Sequence, residues 1–396
     1  MIEVGRASIR KTTTGVIFVL FALASAFAIS HPAEASTRSN LNRALNQVME
    51  VPNGPPGISM QIVKNGHSRY FRRGVANVRT GAKPRLRERF RIASVAKAFS
   101  GAVALNLVAR GKLSLDSTIG EVLPGMMPKA RQVTLGQALQ HTGGLPEYIK
   151  SKGFIRDINR NPAAFVPPTR IISWVRNSGL THRPGTKYEY SDTDNIVVGL
   201  MAQRVTGVRY LWQIRRLGQK IGGLSATSLP RTIRMPEPFI HGYDITPGKT
   251  PEDISRFINP SGAWASGGIV STLPNLSRFF RAYVRGRFFG QGAGAGAIKR
   301  AQRQWIRGES QPAGPGHNWA GMGLFRYVTK CGVMYGHTGS FPGYRVFAAS
   351  SADGKRSIAF VANAQILAHT QGNPNAPQVS AKIRRAQVAA VCYALK

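Results

Sequence analysis

Acidic residues are scarce in this 396-residue chain: 17 Asp and Glu stand against 54 Lys and Arg, a formal net charge of +37. A surface of that sign adheres to anionic polymers. Nucleic acid is the usual partner of a basic chain, but no nucleic-acid motif is present. Anionic cell-envelope polymers are the expected partner, with adaptation to an acidic medium as the bland alternative. Cysteine is nearly absent, with Cys331 and Cys392 the whole complement. In an exported chain an isolated pair reads as one disulfide, with two buried free thiols as the alternative. Long apolar runs are lacking after residue 29. The run from Gly15 to Ile29 is too short for a comfortable span. It follows Arg6, Arg10 and Lys11 and precedes Ala33-Glu34-Ala35. Residues 1–35 therefore read as a signal peptide cleaved before Ser36, with Ala26-Phe27-Ala28 an earlier alternative. The processed chain is expected to be secreted or periplasmic, with no membrane span. There is no His-Glu-x-x-His, no Cys/His cluster at ligand spacing and no Gly-rich phosphate cradle after a strand, so no metal or cofactor is expected. No internal repeat is visible.

What is present is a pattern of strands at both ends and helices between. Leu41, Ala44, Leu45 and Val48 predict a helix over 39–50. Strands are predicted over 58–63 and 68–75, around the turn Lys64-Asn65-Gly66. A long apolar helix is predicted from Ser94 to about Arg110, stopped by Gly111. Helix signals follow over 134–140, 171–177, 195–206 and 210–222. After Trp264 strands return over 268–271, 322–327 and 333–338, with a hairpin of 344–350 and 357–362 around Asp353-Gly354. Helices are expected over 276–284 and 378–395, and the Gly/Ala-rich stretch 290–297 reads as a flexible loop. The pattern predicts an α/β (α+β) fold: an antiparallel β-sheet covered by the N- and C-terminal helices, with an inserted all-helical lobe. Residues 36–95 and 258–396 would form the mixed lobe, and 96–257 the helical one.

Three short motifs carry the chemistry: Ser94-Val95-Ala96-Lys97, Tyr190-Ser191-Asp192 and His337-Thr338-Gly339. At the start of a helix, Ser94 and Lys97 share one face a turn apart. A serine hydroxyl needs a base within hydrogen-bond reach, and a lysine amine there can serve. The helix N-terminus favours negative charge, so the Ser94 amide can help bind an oxyanion. Taken alone, the motif reads more simply as an N-cap serine with a surface lysine. Tyr190, in a loop, is a second proton carrier, where the bland reading is an interface tyrosine. Gly339 on a strand end would let a ligand approach the backbone, and the Ser340 amide is the expected second oxyanion donor. His141 is expected to buttress a loop.

These residues resemble the β-lactamase-related serine hydrolases: class C β-lactamases, soluble D-alanyl-D-alanine carboxypeptidases and related esterases. The resemblance runs from about residue 40 to the C-terminus. It rests on the stretch from Arg91 to Lys97, on Gly111-Lys112-Leu113-Ser114-Leu115-Asp116 and on Leu139-Gln140-His141-Thr142-Gly143-Gly144-Leu145. His337-Thr338-Gly339, Cys331-Gly332, Asp353-Gly354-Lys355-Arg356-Ser357 and Cys392 are similar to the secreted carboxypeptidases. The family's Tyr-x-Asn stands here as Tyr190-Ser191-Asp192, which puts a carboxylate where a neutral amide meets substrate. That carboxylate could hold Lys97 protonated and pass the base role to Tyr190. The resemblance implies a penicillin-binding serine carboxypeptidase or transpeptidase acting on peptidoglycan stem peptides, with β-lactams as covalent inhibitors. Arg326, His337, Thr338 and Ser340 would receive the substrate carboxylate, Asp192 and Gly339 would meet the substrate, and Trp264 would be an apolar wall. An esterase or β-lactamase on the same machinery is the second reading, and a non-catalytic cell-wall-binding protein the third.

Overall fold

The computed structural model describes residues 1, 32–366 and 372–396. The basic region and apolar run of the expected signal peptide lie outside the described residues. The chain enters through α1 (Pro32–Met49) and the hairpin β1 (Gly57–Lys64) and β2 (His67–Gly74). Asn65 and Gly66 turn the hairpin with φ of 51° and 89°, the paired left-handed geometry that Asn-Gly adopts at low cost. The remaining strands come from the C-terminal part: β3 (Ile306–Arg307), β4 (His317–Gly321), β5 (Leu324–Thr329), β6 (Gly332–Phe341), β7 (Tyr344–Ser350) and β8 (Arg356–Ala362). They form one antiparallel sheet in the order β2-β1-β8-β7-β6-β5-β4-β3. The first strand thus pairs with the last, Ile62 opposite Ile358 and Met60 opposite Phe360.

Both faces of the sheet are covered, and burial along the strands shows it. Seven of the eight residues of β1 are buried, as expected of a strand packed on two sides. Edge strand β2 buries only Phe71 and exposes Arg69 and Arg72, charges that discourage edge-to-edge pairing. One face carries α1 and α5 (Ala376–Leu395), through Leu41, Leu45 and Val48 on one helix and Val379, Ile383 and Ala390 on the other. The other face carries the helices α2 (Ala96–Ala109), α3 (Asp192–Thr206) and α4 (Leu273–Val284). Phe99 of α2 stacks on Phe279 of α4 at 3.8 Å between centroids. The first twelve residues of α2 are all buried, the mark of a helix with no solvent face. Gly111, at φ 64°, ends it.

The mixed α/β fold with an antiparallel sheet and flanking helices is the class expected from the sequence. The Gly/Ala-rich stretch corrects one expectation. It is not a loop: helix Ala293–Gln302 begins inside it, with Ile298 and Gln302 buried. Alanine is the best helix former, and Ile298 gives the segment an apolar anchor. Strand β4 and the short helix Lys152–Arg160, which buries no residue, were not expected either. Among the described residues no helix is long and apolar enough to cross a membrane.

Cys331 and Cys392 form a disulfide across 61 residues, joining the β5–β6 turn to α5. Closing a loop of that length stabilises by about 4 kcal/mol in the chain-entropy model. The double Cys331→Ser, Cys392→Ser variant is expected to unfold at lower denaturant concentration by that order. An unchanged midpoint in equilibrium urea unfolding would show that α5 is held by packing alone.

Candidate active site

Ser94 does not open α2 directly. It sits in a 3-10 turn, Ala93–Val95, that leads into the helix. Ahead of the turn, Phe90 and Arg91 pair with Ser271 and Val270, and the Ile92 amide donates to the Ile269 carbonyl at 3.0 Å. Ala93 then takes φ 51°, a left-handed conformation that costs a non-glycine residue about 1–3 kcal/mol. The strain presents Ser94 at the edge of β6. Strand β5 follows β6 only as far as Gly336, so from His337 to Phe341 the pairing is to β7 alone. The Ser94 turn packs against that stretch. A Cβ on Gly339 would stand 2.7 Å from the Ile92 carbonyl oxygen and 3.1 Å from the Ser94 amide nitrogen. Gly339 therefore admits the backbone of the serine turn itself.

Lys97 follows one turn into α2 and is buried to 1% exposure. A buried ammonium is costly unless every proton finds an acceptor. Its Nζ donates to Ser94 Oγ at 3.0 Å and to the Ser266 carbonyl at 3.0 Å, and forms an ion pair with Asp192. Asp192 is the first residue of α3, and Glu147 accepts a 2.8 Å hydrogen bond from its amide. Burial, reinforced by the Asp192 charge, pushes the Glu147 carboxyl up to about 7.

The other groups around Ser94 are neutral. Tyr190 lies beside the ammonium, its ring centroid 5.0 Å from Lys97 Nζ. Burial, then Asp192, raises its phenol well above the usual value, while Ser94 pulls it the other way. Among the described residues its buried hydroxyl has no hydrogen bond of good geometry. His337 is fully buried, and burial with the Lys97 charge lowers it to about 3. Its Nδ1–H donates to the Thr338 carbonyl at 2.5 Å. That leaves Nε2 as a buried acceptor with no partner among the described residues. Behind Tyr190, His141 Nδ1 lies 2.7 Å from Asp194 Oδ2. Burial lowers the imidazole and raises the carboxyl, disfavouring the charged form of each. His141 also ends the helix Leu135–Gln140 at φ 59°, and its ring lies 4.5 Å from that of Tyr190.

The structure thus brings together Ser94, Lys97, Tyr190, Asp192, His337 and Gly339. Other residues singled out in the sequence stand apart or are engaged elsewhere. The Thr338 hydroxyl donates to the Pro312 carbonyl, and Ser340 Oγ accepts from Gln365 at 2.8 Å. Trp264 is 8% exposed and packs on Tyr210 at 5.2 Å, beneath α3 rather than along an open wall. It leads the helical turn that presents the Ser266 carbonyl to Lys97. Arg326 is half-buried on β5, in register with Tyr335 and Trp319, and makes no hydrogen bond or ion pair among the described residues. Sequence reasoning missed Glu147, Ser266 and Asp194. Asp194 had a signal, since it lies in the acidic start of a predicted helix. Glu147 and Ser266 act through a backbone amide and a backbone carbonyl, which no side-chain motif reports.

Two substitutions test this geometry. Glu147 keeps its proton up to about pH 7 in the fold, against a usual value of 4.5. Its ionisation therefore costs stability as pH rises through that window. Glu147→Gln still accepts from the Asp192 amide but cannot ionise. It is expected to raise the melting temperature at pH 8 and leave it unchanged at pH 4. Equal shifts at both values would mean that the carboxyl is not desolvated. Gly339→Ala is expected to part β6 from the Ser94 turn, costing about 1–3 kcal/mol as an overpacking change. Thermal denaturation and labelling by a serine-reactive phosphonate should both report it, and full labelling would show that the turn adjusts freely.

Comparison with known proteins agrees with the fold. Penicillin-binding protein 4 of Amycolatopsis lactamdurans is 25% identical over 301 residues, 73% of this chain and 75% of that protein. Protein flp of Staphylococcus aureus (strain N315) is 28% identical over 202 residues, 50% of this chain and 39% of its own length. Among solved structures, a D-stereospecific amidohydrolase from Streptomyces sp. superposes with a TM-score of 0.71 at 25% identity, covering 89% of this chain and 98% of that one. The D-amino acid amidase from Ochrobactrum anthropi SV3 gives 0.73 at 21% identity over 89% and 98%. Residues 41–379 match the Beta-lactamase family, and the chain belongs to that family of serine hydrolases.

Proposed function

We propose that the chain is a D-alanyl-D-alanine carboxypeptidase or transpeptidase that works through an acyl-enzyme on Ser94. The observation that carries the reading is the 3.0 Å contact between Lys97 Nζ and Ser94 Oγ, beside a Tyr190 hydroxyl that has no hydrogen-bond partner among the described residues. Ser94 Oγ attacks the carbonyl carbon of the penultimate residue. Its proton passes to Lys97 as the proton shared in the Lys97–Asp192 ion pair moves to the carboxylate. The Ser94 and Ser340 amides receive the oxyanion. Tyr190, held neutral, protonates the leaving nitrogen and is reprotonated from Lys97. The C–N bond breaks, and water or an acceptor amine then releases the acyl group. The basic surface and the disulfide fit a secreted or periplasmic enzyme working among anionic envelope polymers.

A second reading, hydrolysis of D-amino acid amides or esters, is favoured by two observations. Asp192 places a carboxylate at the site, and the Thr338 hydroxyl is committed to Pro312. Both disfavour a substrate ending in a free carboxylate.

Incubation with a fluorescent β-lactam, intact-mass measurement and peptide mapping should place one adduct on Ser94. Ser94→Ala should abolish it and cost about 1–3 kcal/mol, because the buried Lys97 ammonium loses one of its three acceptors. An adduct on another serine would overturn the assignment. A hydrolysis panel of D-Ala-D-Ala peptide, D-amino acid amide, ester and β-lactam separates the two readings. Asp192→Asn is expected to improve turnover of the carboxylate-terminated substrate and to shift the pH profile of acylation. An unchanged profile would remove Asp192 from the proton path.

A further inference from the structure

On the sheet face opposite α2, the terminal helices border a concavity. A cavity of about 810 Å³ opens between α1, α5 and the β4 and β5 ends of the sheet. That volume is within the range of built ligand sites. His317, Lys330, Arg384 and Arg385 line it, with Cys392 beside them, and among the described residues no Asp or Glu lines it. Unpaired cations are common in a chain this basic. Concave placement is what distinguishes these, because a cleft lined by one sign of charge focuses its field.

The walls are also fixed in place. Lys330 precedes Cys331, whose disulfide partner Cys392 is on α5 with Arg384 and Arg385. The disulfide therefore holds the lysine wall against the arginine wall. Arg384 is anchored by a 2.5 Å hydrogen bond from Nη2 to the Gly316 carbonyl. Lys330 and Arg385 have no ion-pair or hydrogen-bond partner for their side-chain charges among the described residues. Cations on two walls suit an anion with repeated charges better than a single small ion.

We propose that this cavity binds a linear polyanion carrying phosphodiester groups, of the kind found in cell-envelope polymers. Nucleic acid is the poorer fit, because single strands are held by stacking bases on aromatic side chains and no Phe, Tyr or Trp lines the cavity among the described residues.

The test is equilibrium binding of linear inorganic polyphosphate to the whole protein across a range of salt. Two triple variants are compared: Lys330→Gln, Arg384→Gln, Arg385→Gln, and a control of equal charge, Lys112→Gln, Lys129→Gln, Arg131→Gln on the helical side. The cavity variant is expected to lose about 2 from the slope of log affinity against log salt, at ~0.7 per phosphate contact. The control should keep the wild-type slope. Labelling of Ser94 should be unchanged in both, which shows that each variant folds and keeps this test separate from the catalytic reading. Equal losses in the two variants would overturn the proposal in favour of diffuse attraction. Tighter cavity-dependent binding of single-stranded DNA than of polyphosphate of equal charge would overturn the choice of ligand.

Discussion

The ammonium of Lys97 is the charge to which the rest of the active site is fitted. Buried in the first turn of α2, it draws a carboxylate from α3, a carbonyl from the Trp264–Gly267 turn and the hydroxyl of Ser94. Three separate segments are thereby fixed around one nitrogen. Burial is the first reason that the two neighbouring imidazoles are uncharged, and the Lys97 field adds to it. A second cation at His337 or His141 would add repulsion to the cost of burial, and both imidazoles are held neutral. Asp192 supplies the balancing negative charge, so a further one at Glu147 or Asp194 meets repulsion, and both carboxyls rise. One ion pair remains, among hydrogen-bonding groups whose charged forms burial disfavours.

Placement of the serine depends on backbone more than on side chains. Ala93 accepts a conformation suited to glycine, and Gly339 gives up a side chain so that the turn can lie on the strand. The strain at one residue and the missing Cβ at the other are complementary.

Much of this was legible in the sequence because its signals are local. The Asn65-Gly66 turn, the stop at Gly111 and the apolar run of α2 each follow from near-neighbour preferences. Ser94, Lys97, Tyr190 and His337 were legible because side-chain chemistry at fixed spacing is written in letters. What escaped depends on contacts remote in the chain. Glu147 meets the Asp192 amide 45 residues away, and the Ser266 carbonyl meets Lys97 across 169. Trp264 looked like a site wall because it is a large aromatic near the right motifs. Its burial on Tyr210 and against Gly199 is a packing fact that no spacing encodes. The helix over Ala293–Gln302 was hidden by glycines whose cost is offset by alanine and by the burial of Ile298.

The pairing of β1 with β8 bears on how the molecule can be made. The middle of the sheet joins residues near 60 to residues near 360, and α1 shares one apolar cluster with α5. During synthesis the amino-terminal hairpin emerges long before its neighbour exists. Until then β1 exposes an unpaired apolar edge, a surface prone to aggregation. Closing so long a loop before any contact rewards it also makes folding slow. The sheet is therefore completed only after the last strand leaves the ribosome. Losing the final fifty residues would strip β1 of both its central partner and the helix that covers it.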